Sequence, residues 1–148
     1  MQLAVVEFAR NVLGLSDAES FEFKPDTKNP VIHLMPDQEG VENRGGTLRL
    51  GSYPCVLDVR SKAYKLYNSK EITERHRHRY EVNNDYRDSL QDAGLAIVGK
   101  SPDDRIVEMV ELKDHPFFIG TQAHPEFKSR PNRAHPLFRG FVAAALEK

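Results

Sequence analysis

The sequence predicts an α/β domain, three-layered or doubly wound, with the early strands of its sheet outside these 148 residues. Two observations carry this. The chain opens on an apolar helix, Met1 to Leu13, that has no Ser, Thr, Asp or Asn before it as a cap. Later, three apolar strands follow one another at Leu95–Gly99, Ile106–Leu112 and Phe117–Gln122, and these need a partner sheet or helices to cover them. Many of the segments between are short and look antiparallel, so an α+β arrangement stays open.

In the first helix Leu3, Val6, Ala9 and Leu13 adjoin Val5, Phe8 and Val12, giving two apolar stripes side by side. A helix this apolar is normally buried, and Gly14 is placed to end it. Ser16 to Pro30 is polar and turn-rich. Pro30 to Pro36 reads as a short strand, and Asp37 to Gly46 as a loop. Thr47–Leu50 and Pro54–Val59 alternate in the manner of a hairpin turning at Gly51-Ser52. Ser61 to Tyr67 suits a short helix and Ile72 to Val82 an extended segment. Asp85 to Ala93 suits a helix stopped by Gly94. The last helix spans His135 to Leu146, with Leu137, Phe138, Phe141, Val142 and Ala145 on one face.

Composition narrows the function. Lys and Arg number 21 and Asp and Glu 22, for a net charge of -1. That balance argues against a general nucleic-acid or membrane-surface binder. No apolar run approaches the roughly 20 residues of a membrane helix. The first fifteen residues carry Glu7 and Arg10 and lack the marks of a signal peptide, so the cytoplasm is the default compartment. A single cysteine, Cys55, allows no intrachain disulfide and no cysteine-rich metal site. A complete domain of this length buries about 70% of its unfolded surface, enough for a substantial core.

Chemistry concentrates in two segments. After the apolar run Phe117-Phe118-Ile119-Gly120 comes His124-Pro125-Glu126. On extended chain, residues two apart point the same way, so Glu126 would orient the His124 imidazole and stabilise its charged form. Such a pair serves a nucleophile brought from elsewhere in the fold; the same residues would also suit an ordinary surface loop. The second segment is Glu74-Arg75-His76-Arg77-His78-Arg79-Tyr80. As a strand it puts Arg75, Arg77 and Arg79 on one face and His76 and His78 on the other. A guanidinium there can hold a carboxylate bidentately. The histidine pair lacks the neighbours that would complete a metal site, so no metal is expected. Gly45-Gly46-Thr47 lacks the Lys-Ser/Thr of a phosphate loop. Cys55, between Pro54 and Val56, reads as a buried structural thiol.

Further blocks are Met1-Gln2, Val5-Val6-Glu7-Phe8-Ala9-Arg10, Glu22-Phe23, Pro30-Val31, Gly45-Gly46-Thr47-Leu48-Arg49-Leu50-Gly51, Tyr53-Pro54-Cys55, Ser129-Arg130-Pro131 and His135-Pro136-Leu137-Phe138. With the basic run, continued through Glu81-Val82-Asn83-Asn84, and the His-Pro-Glu element, they cover nearly the whole chain. Together they resemble the class I glutamine amidotransferase domain of the CTP synthase family, which has a flavodoxin-like three-layer sheet. The His-Pro-Glu element is shared by class I amidotransferases generally; the basic run points to CTP synthase.

That resemblance implies a glutaminase that feeds ammonia to the ATP- and magnesium-dependent amination of UTP to CTP, with GTP as activator. It implies that His124 is the general base and acid and that Glu126 orients it. Met1 and Gln2 would line the L-glutamine site, Glu22 would receive the substrate α-amino group and Arg79 its α-carboxylate. The partners implied are an N-terminal synthetase domain, which holds ATP and magnesium, and further copies in a tetramer. The family elbow reads Cys-Leu-Gly-Met-Gln, whereas this sequence begins at the Met. Residues 1–148 are therefore expected to be the C-terminal part of the amidotransferase domain, inactive alone for want of the nucleophile. Two alternatives are a non-catalytic module with a binding or assembly role, and part of another class I amidotransferase.

Overall fold

The computed structural model describes residues 1–34 and 49–147. The Met35-Pro36 end of the expected strand, the loop Asp37–Gly46 and the Gly45-Gly46-Thr47-Leu48 block lie outside the described residues.

The architecture is mixed α/β, with two sheets. Helix α1 (Gln2–Asn11) leads into β1 (Ala18–Ser20) and β2 (Asn29–His33). Then come β3 (Arg49–Leu57), α2 (Lys62–Tyr67), β4 (Glu71–His78) and β5 (Glu81–Val82). A 3₁₀ turn and α3 (Arg87–Asp92) precede β6 (Leu95–Lys100), β7 (Val107–Leu112) and β8 (Ile119–Thr121), and α4 (Pro136–Leu146) closes the described chain. The small sheet has the order β1-β2-β5, and its β1/β2 pair is parallel. The large sheet is antiparallel, in the order β4-β3-β6-β7-β8.

Two cores separate the layers. Val5, Val6, Phe8 and Ala9 of α1 pack with Val31 and Ile32 of the small sheet and with Leu95, Ile97 and Val110 of the large one. On the other side of the large sheet, Cys55, Leu57, Val98 and Met109 pack under Ala63 of α2 and Leu137 of α4. The burial of α1 agrees with its apolar pattern, although Leu3 and Val12 on its outer side are exposed. Met1 gives α1 no side-chain cap, as expected, and Gly14 takes φ 73° just past its end. Helix α2 is capped by Ser61, whose hydroxyl accepts from the Tyr64 amide at 2.9 Å. Of the five apolar residues expected on one face of the last helix, only Leu137 is buried; Phe138, Phe141 and Val142 are exposed.

Two expectations are corrected. There is no hairpin at Gly51-Ser52. Strand β3 runs unbroken from Arg49 to Leu57, with Gly51 opposite His76 and Ser52 opposite Arg75 of β4. Gly51 takes φ 102°, a conformation that glycine alone adopts cheaply, and so absorbs the distortion inside the ladder rather than reversing the chain. The extended segment Ile72–Val82 is also not one strand. It breaks at Arg79-Tyr80, so that β4 joins the large sheet and β5 the small one.

Candidate active site

Strands β4 and β8 are the two edges of the large sheet, yet the sheet curls until they approach. The His124 amide, three residues past β8, donates to the Arg75 carbonyl of β4 at 2.8 Å. The His-Pro-Glu element sits on this seam. The Lys128 ammonium donates to the Thr73 carbonyl, fixing the same loop to β4 again.

His124 and Glu126 are hydrogen-bonded, Nδ1 to Oε1, at 2.8 Å. The extended backbone expected between the two residues is not what joins them. The strand ends at Thr121, and Pro125–Phe127 forms a 3₁₀ turn that brings the two side chains together. Their side chains are 35% and 56% exposed, so a substrate can reach them. The imidazole stacks on the Phe127 ring at 5.4 Å between centroids, and the Arg75 guanidinium lies 5.8 Å from that ring's centre. For Glu126, slight burial works against ionisation, but the His124 hydrogen bond and the nearby Arg77 outweigh it and hold the carboxyl below its ordinary range. With Nδ1 committed to a carboxylate, Nε2 is the nitrogen left to take and return a proton.

Four more residues were expected to bind substrate. Met1 lies against Gly120 of β8; a Cβ built there would stand 3.2 Å from Met1 Cγ, so this glycine admits the close approach. Gln2 Nε2 donates to the Tyr80 carbonyl at 2.8 Å and towards Gln122 Oε1 at 3.3 Å. Gln2 is thus tied both to the turn carrying Arg79 and to the residue that leads into His124. Glu22 and Arg79 are exposed. Ser20 pairs with Ile32, and His33 with Glu81, so Glu22 and Arg79 leave the small sheet from the same end. Among the described residues Arg79 makes no ion pair, which leaves its guanidinium available for a carboxylate.

The curl encloses charged groups that sequence reasoning did not single out. Arg49 of β3 lies 2.8 Å from Glu108 and 3.5 Å from Glu81, and all three are buried. As expected, β4 turns its arginines outward and its histidines inward. His78 Nδ1 donates to the Tyr80 carbonyl at 3.1 Å, so its Nε2 accepts from His76 Nδ1 at 3.0 Å. Burial, reinforced by Arg49, pushes His76 down to about 3 and His78 to about 4. The histidine pair therefore stays neutral at physiological pH. Burial pushes Glu81 up to about 8, Arg49 offsetting part of that and Glu108 adding to it; burial also raises Glu108. A second buried pair joins β4 to the start of α4. His135 Nδ1 accepts from the Leu137 amide at 3.2 Å, so Nε2 donates to Glu74 at 3.0 Å, with the Tyr67 hydroxyl donating to the same oxygen at 3.0 Å.

Cys55 is the buried thiol the sequence suggested. Burial first, then the Glu108 and Glu74 carboxylates, push it up to about 12, where no useful fraction is thiolate. Two clefts of about 390 and 420 Å³ are lined by residues such as Arg60, Lys62 and Lys100, and include none of the expected site residues.

The chain is similar to proteins of known family. The chain is 61% identical over 147 residues to the CTP synthase of Carboxydothermus hydrogenoformans and 59% identical over 148 residues to that of Moorella thermoacetica. These matches cover 99% and 100% of the chain, which spans 28% of the length of each relative. The solved glutaminase domain of Trypanosoma brucei CTPS, with bound acivicin, superposes with a TM-score of 0.93 at 39% identity, covering 100% of this chain and 58% of that one. The family model described as glutamine amidotransferase class-I matches residues 1–144. The chain belongs to the class-I glutamine amidotransferase family.

Proposed function

We propose that this chain is the C-terminal part of the glutaminase domain of a CTP synthase, and that it supplies the proton-transfer half of glutamine hydrolysis. The observation that carries this is the 2.8 Å hydrogen bond between His124 Nδ1 and Glu126, exposed on the seam, with Gln2 bonded to Gln122 two residues ahead of His124. A cysteine preceding Met1 in the whole protein attacks the side-chain amide carbon of L-glutamine. His124 Nε2 takes the thiol proton and passes it to the departing nitrogen, which leaves as ammonia. It then activates the water that hydrolyses the thioester. Glu126 fixes the tautomer and stabilises the imidazolium. Arg79 holds the substrate α-carboxylate and Glu22 its α-amino group, since a free amino acid needs one cationic and one anionic partner. Met1 and Gln2 line the pocket.

In the same reading the ammonia passes to an N-terminal synthetase domain that aminates UTP with ATP and magnesium. GTP activates the glutaminase step, and the whole enzyme is a cytoplasmic tetramer. No residue of this chain is assigned to ATP or magnesium. Support comes from the site geometry together with the identity to CTP synthases over the full chain. The test is ammonia release from glutamine by the full-length protein. Activity that disappears in His124→Ala and persists in Cys55→Ala supports the reading. Turnover that survives His124→Ala, or that depends on Cys55, overturns it.

A further inference from the structure

The geometry points to Gln122 as a positioning residue that holds the glutamine-binding half of the site in register with the proton-transfer half; this rests on the function proposed above. Gln122 is buried and both ends of its amide are engaged. Nε2 donates to Glu81 Oε2 at 2.9 Å and to the Tyr80 carbonyl at 3.2 Å. Oε1 accepts from Gln2 Nε2 at 3.3 Å, and Gln2 donates in turn to the Tyr80 carbonyl at 2.8 Å. Its own backbone amide donates to the Glu108 carbonyl, fixing it to β7 at 3.0 Å.

One side chain thus joins three stretches that are far apart in sequence. They are the start of α1 with Gln2, the turn that carries Arg79, and the segment two residues ahead of His124. His124 has anchors of its own, through the Arg75 carbonyl and Glu126. Gln2 and the Arg79-Tyr80 turn share Gln122 as their link to that segment. Loosening Gln122 therefore misplaces the groups that hold substrate more than the group that moves the proton. The predicted signature is a rise in KM for glutamine with a smaller fall in kcat, the pattern of lost ground-state binding.

The contact to Glu81 allows a polarity swap. Gln122→Glu replaces the donating amide with a second carboxyl group, so the enclosed pair must carry either an added negative charge or an added proton, and the Tyr80 carbonyl loses its Gln122 donor. Pairing it with Glu81→Gln restores one donor and one acceptor, reversed. The experiment is steady-state kinetics on the full-length protein and on Gln122→Met, Gln122→Glu, and Gln122→Glu combined with Glu81→Gln. CTP formation is measured with glutamine and, separately, with ammonium chloride. Loss of the three side-chain hydrogen bonds is expected to raise KM for glutamine about tenfold in Gln122→Met, more in Gln122→Glu. The double variant is expected to recover most of that loss, and the ammonia-driven rate to be unchanged throughout. Wild-type kinetics in Gln122→Met overturn the proposal. So does a fall confined to kcat, a double variant no better than Gln122→Glu, or an equal loss of the ammonia-driven rate. Failure of the functional reading itself is distinguishable, because the unmutated protein would then release no ammonia from glutamine, or would do so undiminished in His124→Ala.

Discussion

Replacing Glu81 with glutamine changes how stability responds to pH. In the native chain Glu81 shares Arg49 with Glu108 and is almost fully enclosed, and burial pushes it up to about 8 against 4.5 when exposed. Between these values the folded chain keeps a proton that the unfolded chain has released. Stability therefore falls as pH rises through this window and levels off above about 8. His76 and His78, lowered to about 3 and 4, give the opposite slope, but only up to their unfolded value of 6.5. From pH 6.5 to 8 the Glu81 contribution stands clear: 1.5 pH units at 1.36 kcal/mol per unit, or about 2 kcal/mol. All other groups are common to both proteins and cancel in the difference. Glutamine at position 81 can still accept from Gln122, so the fold is kept. The assay is urea unfolding of the wild type and Glu81→Gln at pH 6.5 and pH 9. The variant is expected to gain about 2 kcal/mol on the wild type between the two pH values. An unchanged difference, or one of opposite sign, would refute the claim that Glu81 is protonated in the folded chain at neutral pH.

Other outcomes follow from the same contacts. The 148-residue chain alone is expected to release no ammonia from glutamine above background, and Cys55→Ala to leave that baseline unchanged, because Cys55 is enclosed and held as a thiol. A fluorometric ammonia assay checks both. In the full-length protein His124→Ala is expected to lower glutaminase turnover by about 10²–10⁴, and Glu126→Gln by less, since Glu126 acts through the imidazole; comparable losses would contradict that division of roles. Glu74→Ala strands the His135 and Tyr67 donors in the interior and should cost about 3 kcal/mol in urea unfolding, whereas an unchanged midpoint would show the pair to be idle. Ser61→Ala removes the cap of α2 and should cost about 1 kcal/mol in the same measurement.

The parts of the site legible in the sequence were those carried by local spacing. His124 and Glu126 are two residues apart, and a turn or a strand alike could join them, so the pair survived an error about the backbone between them. The apolar periods of α1 and the strand positions β6 and β7 were legible for the same reason. The Gly51-Ser52 hairpin failed because glycine signals a turn locally, while the pairing that keeps β3 straight comes from β4, about twenty residues on. Glu108, inside Val107-Glu108-Met109-Val110, reads as the solvent side of a half-exposed strand; it is buried because the sheet curls and encloses that face. The Gln2–Tyr80–Gln122 cluster joins residues 78, 42 and 120 positions apart, and no local pattern encodes such a meeting. Carboxylates at Glu81, Glu108 and Glu111 beside apolar strand residues were the available signal that charge is enclosed.

The most direct test of the account is where glutamine binds. The full-length protein, with its proposed nucleophilic cysteine changed to alanine so that substrate persists, is crystallised and soaked with L-glutamine. The account predicts the α-carboxylate on Arg79, the α-amino group on Glu22, and the side-chain amide facing His124 Nε2 beside Met1 and Gln2. Glutamine bound away from the seam, or lying there with its amide turned from His124 and its carboxylate off Arg79, would contradict it.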